Sequence, residues 1–104
     1  MITVIVQFNL PVALTLEKAE ELFLRSAPQY RDTPGLTRKY YLLAEDGQTA
    51  GGVYLWNCRA DAERFYSDEW NDFIMEKYGA APSLSYFFSP VIVDNLSGQI
   101  ITAS

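Results

Sequence analysis

The sequence predicts an α+β fold whose elements follow in the order β-α-β-β-α-β. Three observations predict this order. β-branched residues fill an opening run (2–9), apolar residues recur with a helical period in two later segments, and a hairpin signal at Asp46-Gly47 separates two strand-like runs. The chain has 104 residues and shows no internal boundary, so we expect a single domain over 1–104.

The first strand and the first helix follow from local signals. Residues 2–9, "ITVIVQFN", are rich in β-branched side chains and are followed by "LPV", so they predict a strand. Thr15 is a suitable N-cap for a helix over 16–31, and Glu17 lies in its first turn. The apolar stripe of this helix consists of Leu16, Ala19, Leu22, Phe23, Ala27 and Tyr30.

The middle of the chain predicts a hairpin and a second helix. "GLTRKYYLLAE" (35–45) and "TAGGVYLWN" (49–57) are the second and third strands, and Asp46-Gly47 supplies the turn between them. The second helix is predicted to begin near Arg59 and to end at Gly79, with Ser67-Asp68 kinking or dividing it. Its apolar stripe consists of Ala62, Phe65, Tyr66, Trp70, Phe73 and Ile74.

The last part of the chain predicts one interrupted strand and a short tail. "SLSYFFSPVIVDN" (83–95) is the fourth strand, broken or bulged at Pro90. The tail, 96–104, is expected to add a short strand that is exchanged or paired with a partner subunit. Together these elements predict the ferredoxin-like arrangement, an antiparallel sheet with both helices on one face.

Both faces of the predicted sheet carry apolar side chains. In the second strand, Tyr40 and Leu42 point to one face, whereas Tyr41 and Leu43 point to the other. Two helices can cover only one face, so the other face needs a partner. A symmetric homodimer, sheet against sheet, is the simplest arrangement that covers it, and we predict such a homodimer.

Charge and composition exclude several classes of function. The net charge is −5 without any basic tract, which argues against nucleic acid and membrane surfaces as partners. No membrane span or signal peptide is evident, and the one cysteine, Cys58, cannot form an internal disulfide, so we expect a cytoplasmic protein. The chain contains no histidine, which excludes a histidine base and histidine-ligated haem or zinc. Without a dinucleotide or P-loop motif, we expect no cofactor.

Three segments carry a family resemblance. "PGLTRKYYL", "GGVYLWNCRADAERFY" and "YGAAPSLSYFFSPVIVDN" together resemble the YdhR-type monooxygenase family, and the likeness extends from the first strand to Asn95. That family belongs to the dimeric α/β-barrel superfamily, in which two ferredoxin-like subunits place their sheets face to face. The resemblance implies a cofactor-independent monooxygenase acting on a small aromatic or quinone-like molecule, in a pocket between sheet and helices.

One departure from these relatives narrows the expected chemistry. Haem-degrading members of the superfamily use a histidine as a haem ligand, in the region of the second helix. Here that region reads "RFYSDEWNDF", with Tyr66 and Trp70 and no histidine. Haem degradation of that kind is therefore not expected.

Lys39 and Tyr54 are the candidate catalytic residues. Lys39 shares one strand face with Tyr41, and a lysine there can bind a phenolate oxygen, with desolvation lowering its pKa. The alternative is a surface or interface lysine, and strand phase alone does not decide between these positions. The resemblance favours a functional role for Lys39, because a lysine beside a tyrosine is suited to stabilise a substrate anion.

A second group of candidates surrounds the glycine pair Gly51-Gly52. Gly52 shares a face with Tyr54 and Trp56, so it leaves a trough in which a flat ring can lie. Tyr66 and Trp70, four residues apart on the second helix, are candidates for closing this pocket. The alternative for all of these aromatic residues is that they fill the core.

Three further polar residues are weaker candidates for the functional site. Gln7 interrupts the apolar first strand and is a candidate for holding substrate, or else is a hydrogen-bonding residue at an interface. Arg38 can bind a carboxylate with its guanidinium fork, although a solvated or paired arginine is the more usual case. Cys58 has no histidine partner, so a catalytic role is not expected for it.

Three hypotheses for function follow. The first is an oxygenase-like homodimer acting on an aromatic molecule without metal or flavin. The second is a non-oxidative isomerase or cyclase on the same scaffold, which would consume no oxygen. The third is a ligand-binding or structural homodimer without catalysis. Alanine substitutions at Lys39 and Tyr54 distinguish a working site from a packing feature.

Overall fold

The computed structural model describes residues 1–102, which form six strands and three helices. In chain order these are β1 (Ile2–Asn9), α1 (Leu16–Tyr30), β2 (Leu36–Leu43), β3 (Thr49–Trp56), α2 (Arg59–Phe65), α3 (Asp68–Tyr78), β4 (Ser83–Phe88), β5 (Val91–Asp94) and β6 (Gln99–Thr102). β1–β4 form an antiparallel sheet in the order β2-β3-β1-β4, and β5 and β6 form a separate hairpin. The predicted α+β, ferredoxin-like fold is confirmed.

The register of the sheet decides which side chains face the helices. β1 and β3 pair so that Val4 lies opposite Tyr54, and on β2 Lys39 lies opposite that same Tyr54. Directly paired residues point to the same face of an antiparallel sheet. Because Val4 and Tyr54 belong to the buried core that packs against the helices, Lys39 also faces the helices.

The helices begin and end at the predicted signals. The Thr15 hydroxyl accepts a hydrogen bond from the Lys18 N–H at 3.2 Å, which caps α1. The predicted second helix is divided: α2 ends at Phe65, and Ser67 caps α3 by accepting from the Trp70 N–H. Gly79 ends α3 with a φ of 76°, a left-handed conformation that favours glycine.

The predicted fourth strand is broken at Pro90, as the sequence indicates. β4 stops at Phe88, and the chain resumes at Val91 as β5. β6 from the tail pairs with β5 of the same chain, with Val91 opposite Thr102. Residues 103 and 104, the end of the predicted exchanged tail, lie outside the described residues, and pairing of the tail with a partner subunit stays a prediction.

The sheet face opposite the helices carries exposed apolar side chains. Tyr40 on β2 is 54% exposed, and Phe87 on β4 is 52% exposed. On the hairpin, Val91, Val93 and Ile100 are also exposed. Within residues 1–102, none of the helices has the length and apolarity needed to cross a membrane.

Candidate active site

The amine of Lys39 lies among the faces of aromatic rings. Its Nζ is 3.3 Å from the ring centroid of Tyr30, 3.7 Å from that of Tyr41 and 4.6 Å from that of Tyr54. Tyr30 comes from the last turn of α1, whereas Tyr41 and Tyr54 come from β2 and β3. The site is thus built where the end of α1 packs on the edge of the sheet.

The surroundings of Lys39 favour a neutral amine. Burial lowers its pKa to about 6, and repulsion from the Lys77 ammonium on α3 acts in the same direction. The ring faces attract a cation and oppose this change, but they offset only part of the lost hydration. None of the ion pairs within residues 1–102 includes Lys39. At neutral pH the amine is therefore predominantly unprotonated and able to accept a proton.

Tyr41 and Tyr54 keep their protons. Burial raises the pKa of Tyr41 to about 12, although the hydrogen bond with Ser26 acts against this rise. Burial also raises the pKa of Tyr54 far above its usual range, and the nearby Tyr30 and Tyr66 add to the effect. The site therefore combines one unprotonated amine with neutral phenols that can donate hydrogen bonds.

A cleft of about 410 Å³ opens on this site from the surface. It lies between the C-terminal half of α1 and β2, and a ligand pocket typically has about 300–1,000 Å³. Its lining consists of Leu24, Ala27, Pro28, Tyr30, Arg31, Leu36, Thr37, Arg38, Lys39 and Tyr41. The α1 positions 24, 27, 28 and 31 form one face of that helix. The cleft is large enough for a small aromatic molecule.

Behind Lys39, the interior is almost completely filled. A cavity of about 10 Å³, the space of a single water at most, is lined by Tyr54 and Trp70 among others. Tyr30, Lys39 and Tyr41 line both this cavity and the outer cleft. Lys39 thus stands at the boundary between an open cleft and a closed aromatic core.

Trp56, Tyr66 and Trp70 lie in that core. Trp56 is 0% exposed, and its indole N–H donates to the Tyr66 hydroxyl at 3.1 Å. The indole N–H of Trp70 donates to the Tyr30 hydroxyl at 3.3 Å. Edge-to-face contacts of the Tyr66 ring with both tryptophans complete the packing. Their positions agree with the alternative given above, in which these rings fill the core.

The trough at Gly52 is occupied by the protein itself. Gly52 is buried, and the side chains of Lys39 and Tyr54 lie against it. At Gly51, a side chain would collide with the main-chain carbonyl of Val6 on the paired strand. The glycine pair therefore serves close packing, and no open space for a flat ring remains above it.

Of the remaining predicted residues, Arg38 lines the same cleft as Lys39, whereas Gln7 and Cys58 do not. Gln7 is exposed on the opposite face of the sheet, so the structure does not bring it together with the other candidates. The Arg38 guanidinium donates to the Tyr40 hydroxyl at 3.1 Å. Cys58 is exposed at the start of α2, where its thiol donates to Asp61.

Sequence reasoning missed the role of two residues on α1. The sequence places Tyr30 in the apolar stripe of the helix, and Ser26 is not among the predicted site residues. Ser26 is buried, and its hydroxyl pairs with that of Tyr41 at 2.7 Å. The available signal was the position of Ser26, a polar residue within the apolar stripe and four residues before Tyr30.

The described residues offer no obvious metal site. Within residues 1–102, no three His, Cys, Asp or Glu side chains converge as ligands for an ion.

Comparison with known proteins identifies structural relatives at low sequence identity. No protein-family model matches the chain, and no curated protein matches its sequence. SnoaB, a cofactor-independent oxygenase from Streptomyces nogalater, is 16% identical, with 85% of this chain and 91% of that chain covered and a TM-score of 0.62. The monooxygenase ActVA-Orf6 of Streptomyces coelicolor, in complex with nanaomycin D, is 18% identical, with coverages of 85% and 86% and a TM-score of 0.64.

A third solved structure extends the same pattern. It is described as an antibiotic biosynthesis monooxygenase and is 12% identical, with 86% of this chain and 98% of that chain covered and a TM-score of 0.62. At these identities the likeness concerns the fold. The chain has the ferredoxin-like fold of these three solved structures, and the specific YdhR-type relationship stays a prediction.

Proposed function

We propose that this protein is a cofactor-independent monooxygenase of small hydroxylated aromatic molecules, with Lys39 as the base. The observation that carries the proposal is the Lys39 amine, which is enclosed by three aromatic rings and whose side chain lines a ligand-sized cleft. The fold it shares with SnoaB, a cofactor-independent oxygenase, supports the same chemistry.

The reaction balances with molecular oxygen as the only co-reactant. A phenol bound in the cleft transfers its O–H proton to the Lys39 amine, which makes the ring electron-rich. The ring carbon opposite the oxygen then binds one atom of O₂ and loses its hydrogen, and the phenol becomes a quinone. The other oxygen atom leaves as water with the two hydrogens, so the substrate supplies all four electrons that O₂ accepts. No separate reductant is needed.

The surrounding residues have defined tasks in this scheme. The ring faces of Tyr30, Tyr41 and Tyr54 stabilise the Lys39 ammonium once it has formed. The Ser26 hydroxyl donates to the Phe23 carbonyl and accepts from the Tyr41 hydroxyl, which fixes the Tyr41 ring beside the amine. Tyr54 is almost fully buried, so we assign it the task of shaping the environment of the amine.

The test is oxygen uptake by the purified protein with a panel of naphthols and anthrones, in the presence of a chelator and without flavin. We expect one O₂ consumed for each quinone formed. Lys39→Met should lower kcat/KM by about a hundredfold or more, as loss of a general base commonly does. Lys18→Met, which removes an exposed lysine of α1, is the matched control. Equal turnover by Lys39→Met and the wild type would contradict the role of Lys39.

A non-oxidative isomerase or cyclase is the second candidate. The observation that favours it is that an unprotonated amine beside neutral phenols suffices for proton transfer without any oxidant. Such an enzyme would form product in the absence of oxygen, so anaerobic incubation separates the two proposals. Ligand binding without turnover under either condition would instead support a binding protein.

We also propose that two copies form a homodimer through the exposed sheet face. The exposed apolar side chains of Tyr40, Leu42 and Phe87 lie on this face. A groove of about 540 Å³ separates it from the β5–β6 hairpin, whose Val91 and Val93 line the same groove. A second copy would remove this apolar surface from water, which favours association.

A further inference from the structure

Gly52 occupies a buried position in the sheet, where a glycine weakens a strand. It pairs with Val6 on β1 and with Tyr41 on β2, and it faces the helices. A Cβ placed on Gly52 would lie 3.0 Å from the Tyr40 carbonyl oxygen, 3.1 Å from Tyr54 Cε1 and 3.3 Å from Lys39 Cε. The space that a side chain would fill is therefore bordered by the methylene chain of Lys39.

These contacts explain how Lys39 reaches the rings. Lys39 lies opposite Tyr54, two positions from the Gly52 pairing, so its side chain runs diagonally across the sheet surface. Without a side chain at Gly52, the methylene chain can stay close to the sheet. We propose that Gly52 is a positioning residue, which holds the Lys39 amine over the rings of Tyr30, Tyr41 and Tyr54 at the inner boundary of the cleft rather than farther out in its open part.

A methyl group at Gly52 would move the amine. The Tyr40 carbonyl belongs to the sheet backbone and the Tyr54 ring is packed in the core, whereas the end of Lys39 is flexible and borders the open cleft. The Tyr40 carbonyl and the Tyr54 ring are nearer but held in place, so of the three neighbours it is the Lys39 chain that shifts, by a few tenths of an ångström, toward water. Titratable and charged groups near the amine come from α1, β2, β3 and α3, and they are Tyr30, Tyr41, Tyr54, Tyr78 and Lys77.

Moving the amine toward the cleft increases its hydration and weakens the repulsion from Lys77, and both changes favour the ammonium. The loss of the ring faces and the approach to the guanidiniums of Arg31 and Arg38, which line the cleft and are screened by water, have the opposite and smaller effect. We expect Gly52→Ala to raise the pKa of Lys39 by about half a unit or more, which is about threefold in proton affinity. The importance of Gly52 for catalysis rests on the proposed function. The displacement of the Lys39 amine in Gly52→Ala does not depend on it.

The experiment is a pH titration of Lys39 by NMR, with isotope-labelled lysine, in the wild type and in Gly52→Ala. Lys18 serves as an internal reference because it is exposed and on another element. A higher Lys39 pKa in the folded variant is the expected result, and an unchanged pKa would overturn the proposal. The titration needs no turnover, so it remains decisive even if no aromatic substrate is oxidised.

A double variant covers the case in which Gly52→Ala does not fold. If the methyl group is harmful because it meets the Lys39 chain, Gly52→Ala combined with Lys39→Ala should recover the folded state. If the double variant also fails to fold, the methyl group acts through the Tyr40 carbonyl or Tyr54, and the positioning role of Gly52 is wrong. Urea unfolding followed by tryptophan fluorescence reports either outcome.

Discussion

The Lys39 Nζ lies 3.3 Å from the centroid of the Tyr30 ring, which joins the edge of the sheet to the last turn of α1. Burial and the ring face act on this amine in opposite directions, since burial disfavours the ammonium and the ring attracts it. Burial, together with repulsion from the Lys77 ammonium, lowers the pKa of Lys39 to about 6, so the proton is lost at neutral pH while the rings remain in place to receive it.

Lys39 should make the stability of the fold depend on pH. The lysine has a pKa near 10.5 in the unfolded chain and about 6 in the folded protein, so between these values the unfolded state binds more protons. The free energy of unfolding should therefore rise with pH across this window, and Lys39→Met should flatten the rise. Urea unfolding in steps of pH measures it, with Lys18→Met as the control. An unchanged slope in Lys39→Met would show that the amine is not buried.

The same pKa predicts the pH profile of turnover. A base works only when unprotonated, so kcat/KM for oxygen uptake should be low below about pH 6 and should level off above about pH 7. The Tyr41 phenol, with a pKa raised to about 12, keeps its proton throughout this range. An oxygen electrode with buffers of constant ionic strength gives the profile. A midpoint near the ordinary lysine pKa would contradict an unprotonated Lys39.

The cleft should be closed by a large side chain on its helical wall. Ala27 lines the cleft from α1 and is only partly buried, so Ala27→Trp can fill the cleft while the core stays intact. We expect aromatic ligands to bind at least tenfold more weakly, without loss of thermal stability. Thermal shift and calorimetry measure both quantities. Glu20→Trp, exposed on the same helix, is the control, and equal binding by both variants would place the ligand elsewhere.

Tyr66 should matter for stability and not for binding. Its hydroxyl accepts from the buried Trp56 indole, so Tyr66→Phe leaves that N–H without its partner and should cost about 1–3 kcal/mol. Trp56→Phe combined with Tyr66→Phe should cost less than the sum of the single variants. Tyr40→Phe, which removes a hydroxyl hydrogen-bonded at the surface, is a control with little expected effect. If Tyr66→Phe lost ligand binding but kept its stability, Tyr66 would instead be a residue of the binding pocket.

The homodimer can be tested by one charge on the exposed sheet face. Phe87→Glu places a carboxylate on the apolar face of the proposed interface and should convert a dimer into a monomer. Val12→Glu, an exposed position in the loop before α1, should leave the assembly unchanged. Light scattering at micromolar concentration gives the mass of each. A monomeric wild type would refute the proposed interface.

The elements were predictable because each depends on local signals. Thr15 and Gly79 mark helix ends through their own backbone chemistry, and Pro90 interrupts a strand wherever it stands. The site was predictable only in part. The sheet face to which the Lys39 side chain points depends on the register between separate strands. Its contact with Tyr30 depends on how α1 packs on the sheet. Aromatic residues such as Trp56 give the same pattern in a core as in a pocket, so the sequence alone does not separate the two.

Pro28 lies in the last turn of α1 and lines the cleft, as does Leu24. A proline has no N–H, so the Leu24 carbonyl, four residues earlier, lacks its helical donor. The last turn of α1 is thus held by fewer bonds than the rest of the helix, and on the opposite wall the pairing of β2 with β3 shifts register between Leu36 and Arg38. Both walls of the cleft therefore contain a break in regular backbone hydrogen bonding, so a bound ligand can adjust the width of the cleft from either side.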